Sequence, residues 1–132
     1  MQQNEQKSVP LKPHSEFPLL ETYKEYFPVD DNTIFAYNGV IYSNYDLPDH
    51  LLVHEKVHLR QQEQEGLENW VQMFLKNPSF RLSQELEAYK EELESITDRN
   101  YKAKIRVISA KNLSSELYGG IITFQKALDL LK

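Results

Sequence analysis

The chain has 132 residues, 40% of them hydrophobic and 27% charged, with a formal net charge of −5. These proportions describe one folded domain rather than a disordered chain, and the negative balance argues against non-specific nucleic-acid binding and a polybasic membrane anchor. With no cysteine, disulfides, thiolate metal sites and a cysteine nucleophile are excluded.

Residues 1–15 are polar, include Pro10 and Pro13, and read as a disordered or loosely attached tail, leaving 16–132 as the domain. This segment has no apolar h-region, and no apolar run approaches the roughly 18 residues of a membrane span, so cytoplasmic residence is the default expectation. Phe17 to Tyr23 reads as a third strand or as a short helix. Thr33 to Tyr37 and Val40 to Ser43 flank Asn38-Gly39, a pair suited to the positive φ angles of a type I′ turn, which predicts a hairpin over 33–43. From Asp46 onward the pattern is helical, with Asp46 as a cap and Pro48 in the first turn. That helix runs to about Glu65, where Gly66 interrupts it. A second helix is expected over Leu67 to Leu75, a third from about Ser79 to Asp98 and a fourth over about Tyr101 to Leu113. Gly119-Gly120 breaks the chain, and Thr123 caps a last helix carrying Phe124, Ala127, Leu128 and Leu131. The fold class is α+β: a small antiparallel sheet followed by about five helices.

The chemistry is concentrated in His54-Glu55-Lys56-Val57-His58, an HExxH sequence. Residues i and i+4 of a helix lie one above the other on one face, so two imidazoles so spaced can reach one cation. Zinc accepts such nitrogens in tetrahedral geometry. A glutamate directly after the first histidine stands near the metal without pointing at it, and can take a proton from water that the metal acidifies. Leu47, Leu51, Val57 and Gln61 fall within about 60° of His54 on a helical wheel, which turns His54 and His58 inward. Lys56, Arg60 and Glu63 lie on the opposite, wet side.

A catalytic zinc site commonly adds a carboxylate to two histidines. The segment 80–96 offers Glu85, Glu87, Glu91, Glu92 and Glu94. Its apolar stripe is Leu82, Leu86, Tyr89, Leu93 and Ile96. With Leu82 at 0°, Glu85 falls at about −60°, on the edge of the buried face, and Glu92 at about −80°. Glu87, Glu91 and Glu94 fall on the wet side. Helical phase therefore selects Glu85, with Glu87 next, and places Tyr89 one turn on as a supporting group.

His54-Glu55-x-x-His58 followed by Glu85-Leu86-Glu87-Ala88-Tyr89 resembles the gluzincin branch of the zincin metallopeptidases, and small metallopeptidases of phages and prokaryotes in particular. In that branch the third ligand is a glutamate in an E-x-x-A-[DN] pattern on a later helix. Aligning Ala88 gives Glu85, while Tyr89 stands where Asp or Asn is usual. No histidine follows His58, so the extended metzincin motif is absent.

The resemblance implies a zincin-like fold and one zinc ion per chain held by His54, His58 and Glu85. It implies Glu55 as general base in hydrolysis of a peptide or protein substrate. It also implies an upstream strand, 33–37 or 40–43, that pairs with an extended peptide. An oxyanion donor is needed, and Tyr118 beside Gly119-Gly120 is the candidate, with Tyr101 as another. Neither a nucleic acid nor a membrane is expected as partner, and the oligomeric state is open. The alternative is a non-catalytic zinc-binding interaction or regulatory protein on the same fold; a hydrolase of a non-peptide amide is a third reading.

Several residues invite blander readings. His50 completes an i, i+4, i+8 series but lies too far along the helix for all three to share one zinc, so it reads as a cap-region or supporting residue. Gln61 and Gln62 read as exposed helix glutamines that could line the site, and Trp70 and Phe74 as core. Glu55-x-x-His58 is also the unit of di-iron bundles, but a second such unit is missing. His14 raises the question of whether the tail fills the cleft.

Overall fold

A computed structural model describes residues 9–132 of the chain. The architecture is α+β, as expected. The elements are β1 (Leu11–Lys12), α1 (Leu20–Lys24), β2 (Phe35–Tyr37), β3 (Val40–Tyr42), α2 (Asp49–Glu65), α3 (Leu67–Lys76), α4 (Pro78–Glu94), α5 (Arg99–Leu113) and α6 (Phe124–Leu130). Single 3-10 turns stand at His14–Glu16 and Glu116–Tyr118. Among the described residues, no helix is long and apolar enough to cross a membrane.

The hairpin forms as the sequence predicts. Asn38 and Gly39 adopt φ of 50° and 82°, and Tyr37 pairs with Val40, Ala36 with Ile41 and Phe35 with Tyr42. The third strand differs from expectation in place and direction. It is Leu11–Lys12, parallel to β3, so the sheet is mixed with the order β1-β3-β2. Residues 17–23 instead lead into α1, with Phe17 just before the helix and Tyr23 within it, and both rings pack on Phe35.

Residues 1–8 of the expected tail lie outside the described residues, but 9–15 are folded. The backbone N–H of Ile41 donates to Pro10 C=O and that of Ser43 to Lys12 C=O. His14 is buried, packs on Phe35 and donates through Nδ1 to Thr33 C=O. It thus pins the strand in place and does not line the cleft.

The helix boundaries shift where side chains cap differently. Pro48, not Asp46, is the N-cap residue of α2, and no side chain caps that end. Asn77 opens α4 by accepting from the Phe80 N–H, so it starts one helix as it ends another. Asp98 accepts from the Tyr101 N–H and opens α5, which stops α4 at Glu94 instead of Asp98. Thr123 caps α6, as its sequence suggests.

Two apolar clusters result. One joins the sheet and α1 to α3 through Phe17, Tyr23, Phe35, Trp70 and Phe74. The other joins the end of α4 to α5 and α6 through Leu93, Ile105, Leu113 and Leu131. The α2–α4 pair runs between them and buries polar side chains.

Gly39 isolates the conformational demand of the hairpin, because a methyl group there would meet nothing within 4 Å. Gly39→Ala should lower the unfolding free energy by about 1–2 kcal/mol through left-handed strain alone. Urea denaturation reads this; an unchanged midpoint would show that the turn is not held in the I′ form.

Candidate metal centre

The 3.6-residue repeat of α2 stacks His50, His54 and His58 on one face, and α4 presents Glu85 and Glu92 across from them. His54 Nε2 lies 2.9 Å, and His58 Nε2 2.8 Å, from the same oxygen, Glu85 Oε1. The other oxygen, Oε2, accepts from the Tyr118 hydroxyl at 3.0 Å. One ligand atom from each of His54, His58 and Glu85 falls within 4.8 Å of the others, and all three residues are buried. This group could hold a metal ion.

The remote ring nitrogens test the fit. His54 Nδ1 is 2.8 Å from Glu92 Oε1, an acceptor. His58 Nδ1 is 2.9 Å from Gln61 Oε1. The orientation of Gln61 is set by its Nε2, which donates to Gln84 C=O at 3.0 Å and to Glu87 Oε1 at 2.7 Å. Both Nδ1 atoms therefore carry a hydrogen. In a neutral imidazole that leaves a bare lone pair on Nε2, and both lone pairs face a carboxylate oxygen. Three acceptors so arranged repel unless protons or one cation stand among them. Two imidazoles and a carboxylate, opening onto a cavity, are a donor set that could hold a metal ion.

The titration behaviour reflects this crowding. Burial disfavours charge on His54, but hydrogen bonds to Glu85 and Glu92 outweigh it and raise its pKa well above 6.5. His58 is likewise opposed by burial and raised by the charge and hydrogen bond of Glu85. Glu85 itself, though buried, is held below the usual carboxylate range by His58 and His54. Burial lifts the Glu55 pKa against the pull of both histidines. Burial and the Glu85 charge also raise Tyr118, which keeps its phenol protonated.

A cavity of about 200 Å³ opens beside this group. His54, Glu55, His58 and Glu85 form its polar side, and Phe27, Phe35 and Phe74 its aromatic wall. Strand β2, an edge strand of the sheet, borders it. Because Tyr37 pairs with Val40, the N–H and C=O of Ala36 point away from β3. Gln62 reaches this edge, donating to Ala36 C=O at 2.7 Å and accepting from the Asn38 N–H at 3.0 Å.

The structure thus brings together His54, Glu55, His58, Glu85 and Tyr118. Tyr101 stands apart: it does not line the cavity and bonds His50 Nε2 at 2.9 Å. Glu87 is drawn to Arg60 and Gln61 rather than to the histidines. Tyr89 packs its ring edge-to-face on His54, with centroids 4.6 Å apart, but its hydroxyl accepts from Asn112. Gln61 and Gln62 are buried and bonded, not exposed. Trp70 and Phe74 are core, and both rings also pack on His58.

Sequence reasoning missed Glu92 as the hydrogen-bond partner of His54. Its signal was spacing: seven residues after Glu85 is two helical turns along the same face. No protein-family model, curated protein or solved structure matches the chain.

The pKa directions fix a pH dependence for metal-free protein. The raised histidines contribute stability that is complete below about pH 6.5 and lost as pH rises through their folded pKa values. The depressed Glu85 contributes stability present above about pH 4.5 and lost as pH falls. The melting temperature of metal-free protein should therefore decline on the alkaline side, and added Zn²⁺ should abolish that decline by replacing the protons. A melting temperature that is flat from pH 6 to 9 with and without the ion would contradict the charge assignment.

Proposed function

We propose that the chain is a zinc-dependent metallopeptidase of the gluzincin type. The observation that carries this reading is the convergence of two Nε2 atoms on Glu85 Oε1 while both Nδ1 atoms are committed as donors. Zinc suits two imidazoles and a carboxylate with an open fourth position. Bound there, it would supply Lewis acidity, polarising a carbonyl and lowering the pKa of water.

Glu55 is the general base. It takes a proton from the water that attacks the carbonyl carbon and hands it to the amine nitrogen as the C–N bond breaks. Its raised pKa suits both transfers. Tyr118, protonated and lining the cavity, can turn its hydroxyl from Glu85 toward the developing oxyanion. An extended peptide would pair along β2 through the outward Ala36 N–H, and would share or displace the Gln62 amide at Ala36 C=O.

The cavity supports a second reading. Its roughly 200 Å³ is below the common range for small-molecule sites, about 300–1,000 Å³. That favours a zinc-stabilised interaction module without turnover.

Glu55→Gln separates the two. Under the enzyme reading, cleavage of an unfolded-protein or peptide-library substrate falls by about 10²–10⁴-fold while zinc is retained. Glu85→Gln should lose both zinc and activity. Wild-type protein that binds zinc and cuts nothing, or a Glu55→Gln variant as active as wild type, would sink the peptidase mechanism.

A further inference from the structure

We infer that Glu92 and His50 are positioning residues that act as one unit to fix the His54 ring for metal binding. The inference rests on the cation site proposed above. Glu92 is 2% exposed. Its carboxylate bridges two imidazoles, with Oε1 at 2.8 Å from His54 Nδ1 and Oε2 at 2.6 Å from His50 Nδ1. The Tyr101 hydroxyl, 2.9 Å from His50 Nε2, supplies a donor there.

Each link fixes the next. Tyr101 donating to His50 Nε2 leaves His50 Nδ1–H to donate to Glu92. A Glu92 carboxylate held in that way accepts from His54 Nδ1–H. His54 is then the tautomer whose Nε2 lone pair faces Glu85 and the cation position. The chain ties α2, α4 and α5 together at the site. None of His50, Glu92 and Tyr101 lines the cavity, so their influence passes through His54 rather than through a substrate.

The test uses the full chain and zinc alone, titrated against a chromophoric chelator. Metal-free thermal unfolding is recorded for each variant. Glu92→Gln should weaken zinc binding by about 10–100-fold. His50→Leu should weaken it by a smaller factor, about three- to tenfold, since it acts one bond further out. His50→Asn, whose amide N–H can stand where Nδ1–H stood, should restore most of that loss. The double variant Glu92→Gln/His50→Leu should lose no more than Glu92→Gln alone, because His50 acts through Glu92.

Wild-type affinity in Glu92→Gln, or losses that add in the double variant, would overturn the inference while leaving the metal site standing. If Glu92→Gln does not fold, His50→Leu and His50→Asn decide: equal affinities overturn it. Wild-type protein that takes up no zinc would overturn this inference together with the reading beneath it.

Discussion

Three carboxylates, Glu55, Glu85 and Glu92, are buried where α2 packs on α4. A buried carboxylate costs several kcal/mol unless charge and hydrogen bonds balance it. The Arg81 guanidinium, which the Glu85 charge favours in its charged form, supplies part of that balance and also donates to the carbonyls of Phe74 and Leu75. Further compensation comes through His54 and His58, as two protons or as one divalent ion. A divalent ion would neutralise Glu85 and Glu92 together, while burial, aided by the charges of Glu85 and Glu92, moves Glu55 toward its neutral form. Charge balance is therefore a condition of the α2–α4 interface.

The remainder of the fold keeps that polar layer in register. On one side stands the aromatic cluster, whose Trp70 and Phe74 rings press on His58. On the other stands the α4–α5–α6 cluster. Tyr118 reaches Glu85 from a 3-10 turn that ends in Gly119 and Gly120, both at positive φ. A Cβ on Gly119 would approach Pro78 Cβ to 3.0 Å. A side chain there would push the turn away from the start of α4, and with it the phenol that holds Glu85. Gln61 and Gln62 extend the same logic along α2, one orienting His58 and the other fastening the helix to the edge of β2.

What was legible in the sequence was whatever local periodicity controls. The hairpin was readable because Asn38-Gly39 suits few other conformations. The clustering of His54, His58 and Glu85 followed from helical phase on two separate segments. The strand at Leu11–Lys12 was not readable, since two exposed residues in a polar stretch carry no pattern; only pairing with β3 makes them a strand. Tyr89 drew attention as the neighbour of Ala88, yet Glu92 takes the hydrogen bond to His54. Phase placed Glu92 at the margin of the buried face, and only the approach of α2 turns that margin into an interior. Gln61 shared the phase of His54, but a glutamine on a helix is usually solvated, and its burial depends on Gln84 and Glu87 across the interface.

The central claim is that His54, His58 and Glu85 converge on a divalent cation. Elemental analysis of protein purified without a metal-binding tag tests it most directly, with His58→Ala as the comparison. About one zinc per wild-type chain and none in the variant is the expected result. Wild-type protein that stays metal-free after incubation with zinc, or a His58→Ala variant that retains a full equivalent, would contradict it.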